Sequence, residues 1–256
     1  MKLLRNLLGR LSRNWVIRRR LPPQFGHRPI YVSPRAGLAY LKPLTHTHAE
    51  LFAFAAGQVK PGDTVWDLGA SMGVFAVAAS AMAGPKGRVL CVEPDPFSAA
   101  LLRRSAAANA VLGGQIDVVQ AACADRMALE EFRSMTASSA LGHLAAAGGS
   151  GFDPHVASRS HVITVTMDWL AEQHGAPAVI KADLEGAELM ALRGGAETLR
   201  RHRPRLLLEV YERNADAVTT LLKGLGYRLH DFSDPTGPLR EVERAAYNTL
   251  ALPTPG

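Results

Sequence analysis

Short apolar runs alternate with helical segments along the chain from residue 63 onward. Each run has the length and residue types of one β-strand, and the segments between them, such as Val74 to Ala83 and Pro96 to Ala110, are helical in character. This alternation is typical of a parallel sheet covered by helices on both faces. The pattern therefore predicts an α/β fold with a seven-stranded, mostly parallel sheet. The seven runs are TVWDLG, RVLCVEP, IDVVQAAC, AVIKAD, RLLLEVY, YRLHDF and YNTLALP.

The segment 125–160 interrupts this alternation. It contains SMTASSALGHLAAAGGSGFDPH, is rich in Ala, Gly, Ser and His, and follows neither the helical nor the strand period. Long segments without regular structure are uncommon inside a domain unless they are functional. We therefore expect an insertion that acts as a mobile lid, within one domain that spans residues 45–256. The hydrophobic content of 47% is ample for the core of such a domain.

Basic residues are concentrated before the first run. Residues 1–48 hold ten Lys or Arg and no acidic residue, which more than accounts for the net charge of +6. The apolar residues of MKLLRNLLGRLSRNWVIRRR recur at helical spacing, so residues 1–20 are predicted to form a basic amphipathic helix within an N-terminal arm, residues 1–44. Two roles stay open for this helix, peripheral contact with an anionic membrane surface or packing on its own domain. It is too short to span a bilayer.

The two cysteines bear on the compartment. Cys91 and Cys123 lie in apolar runs and have no metal-ligand spacing, which is typical of reduced core residues in a cytoplasmic protein. The expected location is the cytoplasm, with peripheral attachment to a membrane as the alternative. None of these patterns specifies an oligomeric state.

A strand, a glycine turn and a helix follow one another in TVWDLGASMGVFAVAASA. Gly69 and Gly73 allow the backbone to approach a ligand closely, and Glu93, at the end of the second run, is placed to accept two hydrogen bonds from a ribose diol. Together these features indicate a ligand of the adenosine type. The alternative is a tight turn beside an exposed acid, with no ligand. The predicted cofactor-binding residues are Asp67, Gly69, Ala70, Gly73, Glu93 and Pro94.

Asp67 and the form of the glycine turn decide which nucleotide is expected. The turn is not G-x-G-x-x-G, so it has no dedicated pyrophosphate cradle, and Asp67 would repel a diphosphate. S-adenosylmethionine has a sulfonium and an ammonium group and no phosphate, which suits a nearby carboxylate. We therefore expect S-adenosylmethionine as the cofactor. NAD in an NAD-dependent reductase is the alternative, which the absence of a convincing Tyr-x-x-x-Lys pair disfavours.

Several motifs resemble the FkbM family of class I S-adenosylmethionine-dependent methyltransferases. They are VWDLGASMGVF, CVEPDP and VIKADLEGAELMALRGG followed by RPRLLLEV, within a similarity that covers residues 45–252 and includes MDWL and YNTLALP. The most specific part is K-x-D-x-E-G-x-E. The resemblance implies a Rossmann-like fold and transfer of a methyl group to an oxygen, often a hydroxyl of a sugar, polyketide or related metabolite. Ser71 departs from the family pattern, in which an asparagine is common after the Gly-Ala pair.

Acidic side chains occur where the fourth and fifth runs end. Ligands of a doubly wound sheet bind outside the carboxyl ends of its strands, so Lys181 and Asp183 are expected in the site, with Glu209 beside Asp183 if the two strands are neighbours. A carboxylate there can remove the proton of an acceptor hydroxyl as the oxygen attacks, and neighbouring carboxylates would raise its pKa toward neutrality. Lys181, Asp183 and Glu209 are therefore the predicted catalytic residues of an O-methyltransferase. Its acceptor would be a hydroxyl of a small molecule, sugar or glycan.

Other roles for these acids and for two nearby histidines stay open. Asp183 and Glu209 are also candidate ligands of Mg²⁺, which would bind two acceptor oxygens and acidify the attacking hydroxyl. Carboxylates in the first turn of a helix complement its dipole by about 0.3–1 kcal/mol, and this is the interpretation preferred for Glu188. The spacing of His46 and His48 is poor for a metal site and favours a cap or an entry to the cofactor pocket.

Two further function classes compete with the enzyme. The basic pI of about 9.6 is typical of nucleic-acid binders. However, the strand end K-A-D-L-E-G is acidic and lacks the Asn/Asp-Pro-Pro-aromatic run that stacks a flipped base, so no nucleic-acid partner is predicted. The non-enzymatic alternative is a membrane-associated protein that binds the cofactor without catalysis, which the presence of Asp183 and Glu209 disfavours.

Overall fold

The computed structural model describes residues 15–135, 141–148 and 156–254. Its strands are β1 (Ile17–Arg20), β2 (Pro29–Val32), β3 (Thr64–Leu68), β4 (Arg88–Val92), β5 (Ile116–Val119), β6 (Ala122–Cys123), β7 (Ala128–Met135), β8 (His143–Leu144), β9 (Val156–Val165), β10 (Val179–Ala182), β11 (Arg205–Glu209), β12 (Tyr227–Asp231), β13 (Arg240–Val242) and β14 (Asn248–Pro253). Its α-helices are α1 (Leu44–Thr47), α2 (Ala49–Gln58), α3 (Val74–Ala83), α4 (Pro96–Ala110), α5 (Ala145–Gly148), α6 (Met167–His174), α7 (Glu188–Arg193), α8 (Ala196–His202) and α9 (Ala215–Gly224).

The central sheet has the strand order β13-β12-β14-β11-β10-β3-β4-β5. The strands from β11 to β5 run parallel, whereas β14, β12 and β13 pair antiparallel. All seven predicted runs supply strands of this sheet, and the α/β fold is confirmed. Two details differ from the prediction: β13 adds a short eighth strand at one edge, and the third run leaves the sheet after β5 and continues as β6 in a second sheet.

Helices cover both faces of the central sheet because alternate residues of each strand point to opposite sides. Val65 and Val179 pack in one apolar cluster with side chains of α2, α3 and α4. Trp66 and Ile180 pack in a second cluster with side chains of α6, α7, α8 and α9. Strands buried on both faces carry apolar residues at most positions, which explains why their sequences read as nearly continuous apolar runs.

The insertion 125–160 contains regular structure that the sequence pattern did not predict. β7 and β9 pair antiparallel from Ala128↔Thr164 to Met135↔Val156 and form a four-stranded sheet in the order β6-β9-β7-β8. Most residues of β9 before Thr164 are exposed, so the strand lacks the apolar alternation by which strands are recognised. Residues 136–140 and 149–155 lie outside the described part of the chain, and the lid role stays a prediction.

The N-terminal region also differs from the prediction of a separate arm over residues 1–44. Residues 1–14 lie outside the described chain, but Ile17–Arg20 is a strand that pairs antiparallel with β2, not part of a helix. Leu21, Phe25 and Ile30 are at most 1% exposed and belong to the same apolar cluster as α3. Residues 17–44 are therefore packed into the domain. Within the described residues, no helix is long and apolar enough to cross a membrane.

Candidate active site

A pocket lies at the carboxyl ends of β3, β4 and β10, where ligands of doubly wound sheets bind. Most of the predicted cofactor-binding and catalytic residues line it. These are Asp67, Gly69, Ala70, Glu93, Pro94, Lys181 and Asp183. Gly73 and Glu209 are not among the lining residues.

The glycine turn between β3 and α3 depends on close packing within the protein. Gly69 has φ +72°, and a side chain there would collide with the carbonyl oxygen of Asp183. Gly73 has φ +85°, and a side chain there would collide with Leu102 of α4. Gly69 also lines the pocket and Gly73 does not, and the prediction that both glycines let the backbone approach a ligand stays a prediction. Gly69 lets the turn touch the end of β10, and Gly73 lets it pack against α4.

Glu93 ends β4 with both carboxylate oxygens bound to backbone amides. Oε2 accepts a hydrogen bond from the amide of Ser71 at 2.7 Å, and Oε1 accepts one from the amide of Asp95 at 2.8 Å. Burial raises the pKa of Glu93 to about 7, although these two hydrogen bonds favour the ionised form. Each carboxylate oxygen has a second lone pair, so Glu93 can still accept hydrogen bonds from a diol in the pocket.

Lys181 joins two carboxylates at the base of the pocket. Its Nζ donates a hydrogen bond to the Gly69 carbonyl at 2.8 Å and lies 3.4 Å from Asp67 Oδ1 and 3.6 Å from Asp183 Oδ2. Burial lowers the pKa of Lys181, but the two carboxylates more than offset this, and the net pKa is raised. Lys181 therefore stays charged and fixes the carboxylates on either side of it.

Asp67 is buried without full compensation of its charge. Its side chain is 1% exposed, and apart from the Lys181 ammonium 3.4 Å from Oδ1, neither oxygen has a side-chain partner among the described residues. Burial raises the pKa of Asp67, while Lys181 opposes this shift. A buried carboxylate with free lone pairs at the wall of a pocket fits a ligand that carries positive charge.

Asp183 and Glu209 meet as the sequence predicts, at the ends of two neighbouring parallel strands. Ala182 pairs with Leu208, so Asp183 and Glu209, the residues that follow them, lie at the same level of the sheet. Burial and the charge of Asp183 raise the pKa of Glu209 to about 7. The hydroxyl of Tyr247 donates a hydrogen bond to Glu209 Oε1. Asp183 itself is half-buried and faces the pocket.

Several residues near the pocket were not singled out in the sequence. Tyr211 donates a hydrogen bond to Glu185 Oε2 at 2.6 Å, and its ring meets that of Tyr247 edge to face at 5.9 Å. Tyr40 and the insertion also contribute to the pocket wall, the latter through Phe132 and β8. The only sequence signal for the two phenols is their place directly beside strands β11 and β14.

His48 lies at the pocket, and Glu188 lies at the start of α7 beyond β10. His48 lines the pocket, and burial together with the charge of Lys181 lowers its pKa to about 4, so its imidazole is neutral at physiological pH. Glu188 is fully buried, and its Oε1 accepts hydrogen bonds from the amides of Leu184 and Gly186. These bonds give Glu188 a structural role in the turn before α7, and the helix-dipole interpretation stays a prediction.

The described residues give no support to a metal site. Within them, no group of three or more His, Cys, Asp and Glu side chains could hold a metal ion. Asp183 and Glu209 are neighbours, but the charged group that joins Asp183 is Lys181, which repels a cation.

Comparison with known proteins identifies the family. Residues 67–229 match the model of the methyltransferase FkbM domain, which is more than half of the chain. The chain also resembles the crystal structure of a methyltransferase FkbM from Methylobacillus flagellatus KT, with a TM-score of 0.51 and 18% identity over 81% of this chain and 52% of that one. The chain thus spans about half the length of that protein, and at this identity the likeness shows the fold alone.

Two further solved structures are similar at TM-scores below 0.5. One is a precorrin-6y C5,15-methyltransferase from Geobacter metallireducens GS-15, with a TM-score of 0.46 and 12% identity over 80% of this chain and 85% of that one. The other is a fibrillarin from Aeropyrum pernix in complex with natively bound S-adenosyl-L-methionine, with a TM-score of 0.42 and 14% identity over 76% and 68%. No curated protein matches the chain.

The family match includes the end of β3, the glycine turn, Glu93 and the K-x-D-x-E-G-x-E motif, which are the elements that build the pocket. A reductase that uses NAD is thereby set aside. The chain belongs to the FkbM family of methyltransferases.

Proposed function

We propose that this methyltransferase transfers the methyl group to a hydroxyl oxygen of a small-molecule, sugar or glycan acceptor. The observation that carries the proposal is the position of Asp183, a half-buried carboxylate that lines the pocket, with a second carboxylate, Glu209, at the same level of the neighbouring strand. Transfer to a hydroxyl requires removal of its proton, and a carboxylate at this place can accept it.

The residues of the pocket fit S-adenosylmethionine. Glu93 would accept hydrogen bonds from the ribose hydroxyls, and Asp67 would offset positive charge on the methionine part. Gly69, Ala70 and Pro94 also line the pocket and would contact the cofactor through backbone and apolar surface. When bound, S-adenosylmethionine supplies a methyl group activated by the sulfonium.

The protein's own part in the reaction is to take up the proton and to hold the charges in place. Asp183 would accept the hydroxyl proton at a carboxylate oxygen. Glu209 would lie beside this base at the end of the neighbouring strand. Lys181 would keep Asp183 oriented through their ion pair, which assigns it a positioning role beside the base.

Mg²⁺ bound by Asp183 and Glu209 is the alternative mechanism. It is less favoured because no third His, Cys, Asp or Glu ligand joins the pair in the described residues, and because Lys181 lies 3.6 Å from Asp183. Activity that is lost in EDTA and restored by Mg²⁺ would favour the metal. Activity that is indifferent to the chelator would favour Asp183 as a base acting alone.

The acidic surroundings of Asp183 also support an acceptor without phosphate. Glu185 and Glu209 flank it, and a nucleic-acid backbone would be repelled there. The deciding experiment is mass spectrometry of metabolites from cells with and without the gene. Compounds that are 14 daltons heavier only when the gene is present, with the added methyl on oxygen, support the proposal. A methyl on nitrogen or carbon would refute it.

The basic residues 1–20 are proposed to make peripheral contact with anionic membranes, in a protein located in the cytoplasm. The support is their charge, since residues 1–48 have no acid to offset ten basic residues. Sedimentation with vesicles of phosphatidylglycerol that weakens as salt is raised would agree with this proposal. Equal sedimentation of the protein with and without residues 1–14 would exclude a role for that part of the segment.

A further inference from the structure

The turn after β10, residues 183–188, has an unusual backbone conformation. Glu185 has φ +53° and Gly186 has φ +101°. The left-handed region is rare for a residue with a side chain and persists where the surrounding structure fixes it. Glu188, the first residue of α7, fixes the turn from its inner side: its Oε1 accepts hydrogen bonds from the amides of Leu184 at 2.8 Å and Gly186 at 3.1 Å. These bonds secure the inner side of the turn.

The segment after β11 secures the outer side. The hydroxyl of Tyr211 donates a hydrogen bond to Glu185 Oε2 at 2.6 Å, and Nδ2 of Asn214 donates one to the Gly186 carbonyl at 3.0 Å. Arg213 occupies the space beside Gly186 that a side chain would need, and it donates a hydrogen bond to the Ala147 carbonyl of the insertion at 3.2 Å. Two consecutive left-handed residues are thus held by three residues from one neighbouring segment.

We propose that Tyr211 and Asn214 are positioning residues that hold the 183–188 turn so that Asp183, its first residue, presents its carboxylate to the pocket. Neither side chain lines the pocket, so neither is expected to touch the cofactor or the acceptor. The inference rests on the proposed methyl transfer by Asp183. Its consequence is that losing either contact lowers the rate of transfer and leaves cofactor binding in place, because small errors in the position of a base are costly.

The test compares rate with cofactor affinity in Tyr211→Phe and Asn214→Ala. The rate is the transfer of radiolabelled methyl from saturating S-adenosylmethionine into a small-molecule extract of cells that lack the gene. We expect the rate to fall about tenfold or more in each variant, with the dissociation constant of S-adenosylmethionine from calorimetry unchanged. Tyr31→Phe is the matched control, because Tyr31 lies on β2 outside the pocket, and it should keep the full rate. Equal losses of rate and affinity would overturn the inference.

Asn214→Asp separates the hydrogen bond from packing, because it keeps the shape of the side chain and removes the donor. It should lose at least as much rate as Asn214→Ala. Hydrogen exchange of the peptide that covers residues 183–190 gives a readout without an acceptor, and the amides of Leu184 and Gly186 should exchange faster in both Asn214 variants. Full activity and unchanged exchange would refute the positioning role. A wild-type protein that binds S-adenosylmethionine but labels no hydroxyl compound would count against the proposed function instead.

Discussion

Asp183 is the side chain on which the proposed chemistry depends most directly. Asp183→Asn keeps its shape and removes its charge, so transfer should fall about 10²–10⁴-fold, the usual contribution of general-base catalysis. Affinity for S-adenosylmethionine should stay nearly constant. Labelled methyl transfer and calorimetry measure the two quantities. Asp117→Asn is the control, because Asp117 lies on β5 in an exposed ion pair with Arg88, and full activity of Asp183→Asn in a stable protein would exclude the role.

Glu93 links cofactor affinity to pH. Burial raises its pKa to about 7, and a protonated carboxyl accepts hydrogen bonds from a diol less well. Affinity for S-adenosylmethionine should therefore weaken as the pH falls through about 7. Glu93→Gln should bind about tenfold to a hundredfold more weakly, since hydrogen bonds to a charged group contribute about 1.5–3 kcal/mol.

Calorimetry between pH 6 and 8.5 on both proteins tests this prediction. Glu93→Gln cannot titrate at this position, so the pH dependence of its affinity reports the cofactor's own amino group. The difference between the affinity profiles of the two proteins is then due to Glu93. Parallel profiles for the two proteins would show that Glu93 does not titrate in the cofactor-free site.

Side chains at strand ends could be predicted from the sequence, and their partners could not. Asp67, Glu93, Lys181 and Asp183 each occupy a position that the end of a parallel strand defines, so a local pattern was enough to place them. Tyr211 contacts Glu185 because β11 pairs with β10, and Tyr247 contacts Glu209 because β14 pairs with β11, each a pairing between separate parts of the chain. Those contacts depend on topology and leave no local signal.

The glycine turn gives a prediction at the scale of an element. Gly69→Ala would place a methyl group against the carbonyl of Asp183, which can move only if β10 or the turn moves. We expect a lower melting temperature and loss of S-adenosylmethionine binding. Gly62→Ala is the control, because Gly62 has a similar φ of +87° with open space around it, so it carries the backbone strain alone. Equal effects of the two changes would mean that strain, and not the collision, is responsible.

The N-terminal hairpin of β1 and β2 gives a second prediction at the scale of an element. Arg19 on β1 donates hydrogen bonds to the carbonyls of Tyr40 and Leu41 and so fixes the segment that places Tyr40 in the pocket wall. Arg19→Ala should weaken cofactor binding severalfold and lower the melting temperature. Arg18→Ala removes an equal charge from the exposed side of the same strand and should have little effect. Identical behaviour of the two variants would argue that the hairpin contributes only charge.

The elements that the sequence failed to predict share a physical reason. β1 and β9 are short of apolar residues at alternate positions, because most of their side chains face solvent or carry charge. Their strand conformation comes from pairing with β2 and β7. Buried strands such as β3 and β10 carry their own signal, since both of their faces must be apolar.

Four glutamates that are buried or half-buried bear on the pH dependence of the stability of the whole molecule. Glu93, Glu185, Glu188 and Glu209 each have a pKa raised to about 7, with burial as the main cause. The folded protein therefore binds more protons than the unfolded chain between pH 4.5 and 7, and stability decreases as the pH rises through this window. His48, with its lowered pKa, acts in the opposite direction but is a single group.

The cofactor-free protein should accordingly melt at a higher temperature at pH 6 than at pH 8. Calorimetric melting in buffers of equal ionic strength measures the difference. Glu209→Gln is the comparison. Because it removes one of the four raised pKa values, the melting temperature of this variant should fall less steeply with rising pH. A melting temperature that rises from pH 6 to pH 8 would contradict the prediction.

β14 lies between β11 and β12 in the sheet, yet it follows both of them along the chain. During synthesis, β11 and β12 therefore emerge from the ribosome with the slot between them empty, and two unpaired edges face the surrounding nascent chains. The sheet can close only when residues 248–253 have been translated. A stop codon just before Asn248 would leave a chain that keeps all of the described pocket residues but exposes both edges, and its expected fate is aggregation or degradation.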